Sequence, residues 1–216
     1  MTTTIILDFE TSGLNPYHDD IIEVAMKVLG SEKKFEALIK PKSNVCISEE
    51  ITALTGITNG KLSRQGGTWE EVYEAANDWI LSVVGSSGKV AIVSHNGESF
   101  DFIFLRRLFN DLRDYKAALV PLFKGPRYKI FPLADIVFID TLLLARRLVP
   151  GRMSYRQASL CGMYNISVKG SHRAMNDVVA LEKLYIQLSR SLDEKMDKRR
   201  SPVDYPDMIE GYIKLK

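Results

Sequence analysis

The periodicity of apolar residues changes after residue 40, and that change limits the folds open to this chain. Residues 4–10 alternate as a strand does, with Ile5, Leu7 and Phe9 on one face and Ile6, Asp8 and Glu10 on the other. A break at residues 11–16, rich in Gly, Asn and Pro, ends that run. Two further strand-like runs, 21–28 and 34–40, are joined by a short turn and read as a hairpin, so the opening is a three-stranded antiparallel meander. Helical spacing then takes over. Ser48 can cap a short helix that stops at Gly56, and Thr68 with Glu71 makes a capping-box pattern at the start of a helix reaching about residue 84. An apolar strand at 89–94 precedes a helix at about 100–114, and a strand at 136–140 runs into an apolar helix at 141–148. Shorter helical runs lie near 154–162, and a long final helix covers about 173–190. A meander followed by strand–helix units predicts one α/β domain with a mixed central sheet over residues 1–190. Residues 191–216 are then a C-terminal tail or an added packing element.

Composition narrows the function classes without choosing among them. With 216 residues, 45% apolar and 26% charged, the chain can bury a full core unaided. The net charge of +2 carries no global polyelectrolyte signal, so any affinity for nucleic acid must come from local clusters. Cys46 and Cys161 are far apart and in no C-x-x-C arrangement, which argues against a disulfide framework or a zinc site. No run approaches the roughly 20 apolar residues of a membrane span, and no basic segment with an apolar run opens the chain. A cytoplasmic or nuclear protein with no membrane partner is the expectation.

The chemistry is carried by acids in unusual places. Asp8 and Glu10, two apart on a strand, share a face and repel each other unless something positive holds them. Asp101 lies one turn ahead of Phe104, Leu105, Leu108 and Leu112 on the apolar stripe of its helix. Asp177 falls inside the stripe formed by Ala174, Val178, Leu181, Leu184, Tyr185 and Leu188. A lone acid of this kind can pair with a buried arginine; two of them with the strand pair are more economically explained by a shared cation. Oxygen donors without a cysteine cluster favour magnesium or manganese over zinc. Two such ions about 4 Å apart suit phosphodiester hydrolysis. His172, five residues before Asp177, can reach the same site and take a proton from water.

Three segments, Asp8-Phe-Glu10-Thr-Ser-Gly-Leu14, Ser94-His-Asn-Gly-Glu-Ser-Phe-Asp101 and His172-Arg-Ala-Met-Asn-Asp177-Val-Val-Ala180, resemble the motifs of the DEDDh 3′→5′ exonucleases (the DnaQ-like group that includes proofreading exonucleases). Leu54-Thr-Gly-Ile-Thr58 is similar to another segment common there, and the resemblance covers about residues 5–190 with every acid and histidine filled. It implies a ribonuclease H-like fold, a mixed five-stranded sheet flanked by helices. It implies that Asp8, Glu10 and Asp177 bind the catalytic metal, that Asp8 bridges to a second ion held by Asp101 largely through water, and that His172 is the general base. Nucleoside 5′-monophosphates are the implied products. Thr11 and Gly13 would meet the terminal sugar, Leu14 and Leu54 the terminal base, and Asn96 the sugar or phosphate, whereas His95 is expected to be structural. The implied partner is a single-stranded or frayed 3′ end of DNA or RNA, with a polymerase or a replication or repair complex as a further possibility.

Two other classes stay open at this level: a nucleic-acid-binding module that has lost the chemistry, and a phosphodiesterase acting on small nucleotides. A degenerate module is expected to lack at least one of Asp8, Glu10, Asp101, His172 and Asp177, and none is missing. The chain departs from the family between 110 and 140, where Phe123, Lys124, Arg127, Tyr128 and Lys129 interleave basic and aromatic side chains. That pattern suits contact with a single strand as well as a solvated loop. The basic run 195–200 reads most simply as solvated.

Overall fold

The computed structural model of the protein describes residues 2–42, 46–84, 88–119, 131–132, 136–168 and 172–196, together with Pro206 and Ile209. Five strands, β1 (Thr3–Thr11), β2 (Ile21–Val28), β3 (Lys34–Leu38), β4 (Val90–Ser94) and β5 (Ile136–Asp140), form one sheet in the order β3-β2-β1-β4-β5. The meander pairs antiparallel, while β4 joins β1 and β5 joins β4 in parallel. The expected mixed sheet follows from the connections, since a short turn returns a strand antiparallel and a parallel partner needs a crossover.

The helices are α1 (Glu49–Thr55), α2 (Asn59–Gln65), α3 (Trp69–Val84), α4 (Asp101–Leu119), α5 (Thr141–Leu148), α6 (Gln157–Met163) and α7 (Ala174–Met196). Helices α3 and α4 bury Ile5, Leu7 and Phe9 on one face of the sheet. On the other, α5, α6 and α7 bury Ile6, Val93 and Ile139. The alternation along β1 thus sends its two sets of side chains into two different cores. Local signals behave as their chemistry requires. The Ser48 hydroxyl accepts from the Ile51 N–H at 3.3 Å, and Gly56 ends α1 in the left-handed region at φ 68°. Thr68 and Glu71 form the reciprocal capping box at 2.9 and 3.3 Å.

Some elements differ from the sequence reading. Helix α2 was not anticipated, because it spans seven residues, contains Gly60 and buries only Leu62. Strand β3 ends at Leu38; beyond it Ile39 still donates to the Ile22 carbonyl at 2.9 Å and also bridges Gly67. Helix α4 runs on to Leu119, where Tyr115 packs against Trp69 at 5.5 Å and Lys116 pairs with Glu74. Helix α7 continues to Met196; Leu192 is fully buried in its core, and so is Ile209. The basic–aromatic stretch at 123–129 lies outside the described residues, as does most of the 195–200 run. No described helix is long and apolar enough to cross a membrane.

Candidate active site

The site opens where the central strand outruns its neighbour. The β1–β4 ladder extends from Thr3↔Val90 to Ile6↔Val93 and stops, leaving the end of β1 without a parallel partner. Asp101, the first residue of α4, fills that gap. One of its oxygens accepts the Phe9 backbone N–H at 3.3 Å and the other accepts the Ser94 hydroxyl at 2.6 Å. These bonds explain how an acid is buried on an apolar stripe. On the β2 side the register slips after Glu10, which faces Glu23, so that Thr11 faces Ile21. An extra residue of this kind bends a strand locally and increases its twist.

Helix α7 lies across β1 and β2 with Asp177 in its first turn. Asp8, Glu10 and Asp177 each offer a carboxylate oxygen, and these three atoms lie within 4.8 Å of one another. The four sequence-selected acids therefore divide: three converge, and Asp101 lies close enough to raise the pKa of Asp8 but has both oxygens already engaged. His172 is exposed at the entry to α7 with φ 66°, and its backbone N–H donates to an Asp177 oxygen at 2.7 Å.

Electrostatics make this cluster costly by itself. Burial holds Asp8 well above the usual carboxylate range, helped by the charges of Asp101, Glu10, Asp177 and Glu23. Burial and then Asp177 push Glu10 up to about 8. Asp101 is pushed by burial to about 7 against the Ser94 and Phe9 hydrogen bonds, and Asp177 is raised by burial against the bond and charge of His172. Converging oxygen donors that are desolvated and mutually repelling fit a hard divalent cation. A stability prediction follows. Each of these groups binds its proton more tightly folded than unfolded, so the stability they contribute is complete below an unfolded pKa of about 4. It is lost as pH rises through the folded values of about 7 and 8. Melts in EDTA are expected to fall across that window, and Mn²⁺ or Mg²⁺ is expected to restore the loss at the upper end. Melting curves identical with and without cation at high pH would rule out a cation site here.

The remaining sequence candidates fall around this centre. Thr11 is buried, its hydroxyl spent on the Gly13 carbonyl at 2.6 Å. Gly13 packs so closely on the Asp19 carboxylate that a Cβ would collide with it. The loop carrying Leu14 is braced from α4, since Arg107 donates to the carbonyls of Pro16 at 2.5 Å and Asp19 at 2.9 Å. Leu14 and Leu54 are large apolar side chains left exposed, at 84% and 50%. Asn96 is exposed at φ 65°, and its N–H donates to Asp140. His95 is held through both ring nitrogens, by Thr141 at 2.9 Å and the Tyr155 carbonyl at 2.8 Å, and burial lowers its pKa. Both ring nitrogens are thus engaged inside the fold.

Three charged residues escaped the sequence reading. Asp140 is buried and spends its oxygens on the N–H groups of Asn96, Glu98 and Leu142, which fixes the turn leading to Asp101. Its signal was available, as an acid between a strand and a helix is among the preferred N-cap residues. Glu23 on β2 and Arg173 ahead of α7 form a bidentate ion pair beside the cluster. Their only sequence signal was an acid on a buried strand face.

Crystal structures of Escherichia coli exonuclease I share this architecture. The complex of that protein with a dT13 oligonucleotide matches with a TM-score of 0.69 at 19% identity, covering 91% of this chain and 43% of that one. The sheet and its helices are thus the ribonuclease H-like fold. Sequence relations reach further than fold. The PolC-type DNA polymerase III of Bacillus subtilis is 32% identical over 196 residues, 89% of this chain and 12% of that protein. Exonuclease DPD1 of Arabidopsis thaliana is 28% identical over 201 residues, 89% of this chain and 58% of that protein. The chain therefore spans only part of these relatives. Residues 5–185 match the RNase_T family, described as Exonuclease, and the chain belongs to that family.

Proposed function

We propose that this chain removes nucleotides from the 3′ end of DNA or RNA, hydrolysing the terminal phosphodiester and releasing nucleoside 5′-monophosphates. The observation that carries the reading is the convergence of the Asp8, Glu10 and Asp177 oxygens within 4.8 Å in a desolvated site. Asp8, Glu10 and Asp177 would hold Mg²⁺ or Mn²⁺, and Asp8 and Asp101 would help hold a second such ion. When bound, such ions supply Lewis-acid activation of water and stabilisation of the leaving oxygen. The lone pairs that Asp101 keeps beyond its two accepted hydrogen bonds suit an indirect role. His172 takes the proton of the attacking water, an assignment supported by its exposure beside Asp177. The backbone of Thr11 and Gly13 and the side chain of Asn96 orient the terminal sugar and phosphate.

A single strand or frayed end is the substrate to try first, because crystals of exonuclease I hold single-stranded DNA, in one case with zinc. The PolC relatives make a DNA polymerase a partner worth testing. A time course on matched 5′-labelled DNA and RNA with Mg²⁺, Mn²⁺ or EDTA tests the reaction. A cation-dependent ladder shortening from the 3′ end supports it. A folded protein that binds the strand and never shortens it would instead be a binding module.

Leu14 is expected to act on binding alone. Leu14→Ala removes about 1 kcal/mol of apolar contact with the terminal base, so KM for an oligonucleotide should rise about fivefold. The turnover number and melting temperature should hold, since the side chain is 84% exposed. Unchanged KM would remove Leu14 from the substrate path.

A further inference from the structure

Glu23 is the one described carboxylate of the site that is fully buried and already neutralised. Its side chain is 1% exposed, and it accepts from Arg173 at 2.6, 3.1 and 3.2 Å and from the Ala174 backbone N–H at 3.0 Å. It stands directly across the sheet from Glu10. Like charges in opposed positions repel, and the bidentate arginine offsets this one. Both of its partners belong to the entry of α7, immediately after His172 and one turn before Asp177. A second ion pair ties the same helix to the same strand, as Lys27 contacts Glu182 at 2.7 Å and Glu182 also accepts the Gly30 N–H at 2.8 Å. The spacings match: four residues of strand and nine of helix each span roughly 13 Å. Helix α7 is therefore pinned to β2 at two points, one beside the acidic cluster and one distant from it.

We propose that Glu23 and Arg173 are positioning residues: their ion pair fixes the first turn of α7 so that Asp177 and His172 meet Asp8 and Glu10 in working register. This deepens the exonuclease reading and rests on it. The Ala174 cap sets where the helix begins, and the φ of 66° at His172 is kept by the anchor that follows it. Loss of the anchor lets the first turn fray, which separates Asp177 from its partners while the strand-binding surface is untouched. The Lys27–Glu182 pair has the same chemistry without that consequence, and it serves as an internal control.

The test compares Glu23→Gln with Glu182→Gln, each of which removes a charge and retains an acceptor for the backbone N–H. Turnover and KM on a labelled single strand, melting temperature, and hydrogen exchange of residues 172–178 are measured for both. Glu23→Gln should lower turnover about 10- to 100-fold with KM within about threefold, the scale of a misplaced group. It should also speed exchange in the first turn. Glu182→Gln should cost similar melting temperature with turnover within about twofold, because its pair lies beyond the reacting groups. Arg173→Lys, which keeps the charge and loses the fork, should fall between wild type and Arg173→Met. Equal loss of turnover in Glu23→Gln and Glu182→Gln, or no change in Glu23→Gln, overturns the proposal. If the wild-type protein cuts no strand, the exonuclease reading fails, and exchange alone decides: faster exchange at 172–178 confined to Glu23→Gln supports positioning, and equal exchange overturns it.

Discussion

Asp8→Asn is expected to give a protein that melts higher than wild type in EDTA and cuts no strand. The carboxylate sits on the central strand, where burial and four neighbouring acids work against its charge. Asparagine has nearly the same shape and no charge, so Glu10 and Asp101 lose a repulsive neighbour while the ladder with β2 is unaffected. A relief of even one pKa unit is about 1.4 kcal/mol, which for a domain of this size raises the melting temperature by roughly 3–5 °C. Activity should drop at least about 1000-fold, since the carboxylate proposed above as a cation ligand is gone. Asp177→Asn should follow the same direction with a smaller rise, because its carboxylate also accepts the His172 N–H. A variant that melts lower than wild type in EDTA would show that the charges are not in conflict. One that still cleaves would remove Asp8 from the metal set.

His172→Gly should separate proton transfer from architecture. The residue has φ 66°, a conformation that costs a side chain about 1 kcal/mol and glycine nothing. The N–H that binds Asp177 is retained, so the carboxylate keeps its orientation. Only the imidazole is lost. Turnover is expected to fall about 10²- to 10⁴-fold, the usual contribution of a positioned base, with melting temperature unchanged or slightly raised. Mn²⁺ affinity measured by calorimetry should stay within a few-fold of wild type. Loss of Mn²⁺ binding would make His172 a ligand rather than a base, and retained turnover would end its catalytic role.

Much of the arrangement was legible beforehand because it is written in short-range pattern. Period-two alternation in β1 put Asp8 and Glu10 on one face, and the ranges of β2, β5, α1 and α5 matched the reading. The capping box at Thr68 and the glycine stop at Gly56 rest on steric and hydrogen-bonding rules that act within a few residues. Reading failed where stability comes from distant partners. Helix α2 has little apolar face of its own, and the last turns of α4 and α7 are held by Trp69, Glu74 and the buried core. The pairing of Glu23 with Arg173 joins residues 150 apart, and nothing near either position announces it.

By itself the sequence determined which residues could do chemistry: the acids on a strand face and on two apolar helix stripes, a histidine ahead of the last helix, and an order of motifs that names the family. These depend on residue type and spacing, which are local. Only the tertiary structure decided their condition. It brought Asp177 within reach of Asp8 and Glu10, drew both oxygens of Asp101 into hydrogen bonds, and occupied both nitrogens of His95. It also buried the carboxylates beside one another, which raises their pKa values. Desolvation and charge–charge repulsion depend on distances through space, and those exist only once the sheet and α7 have packed together.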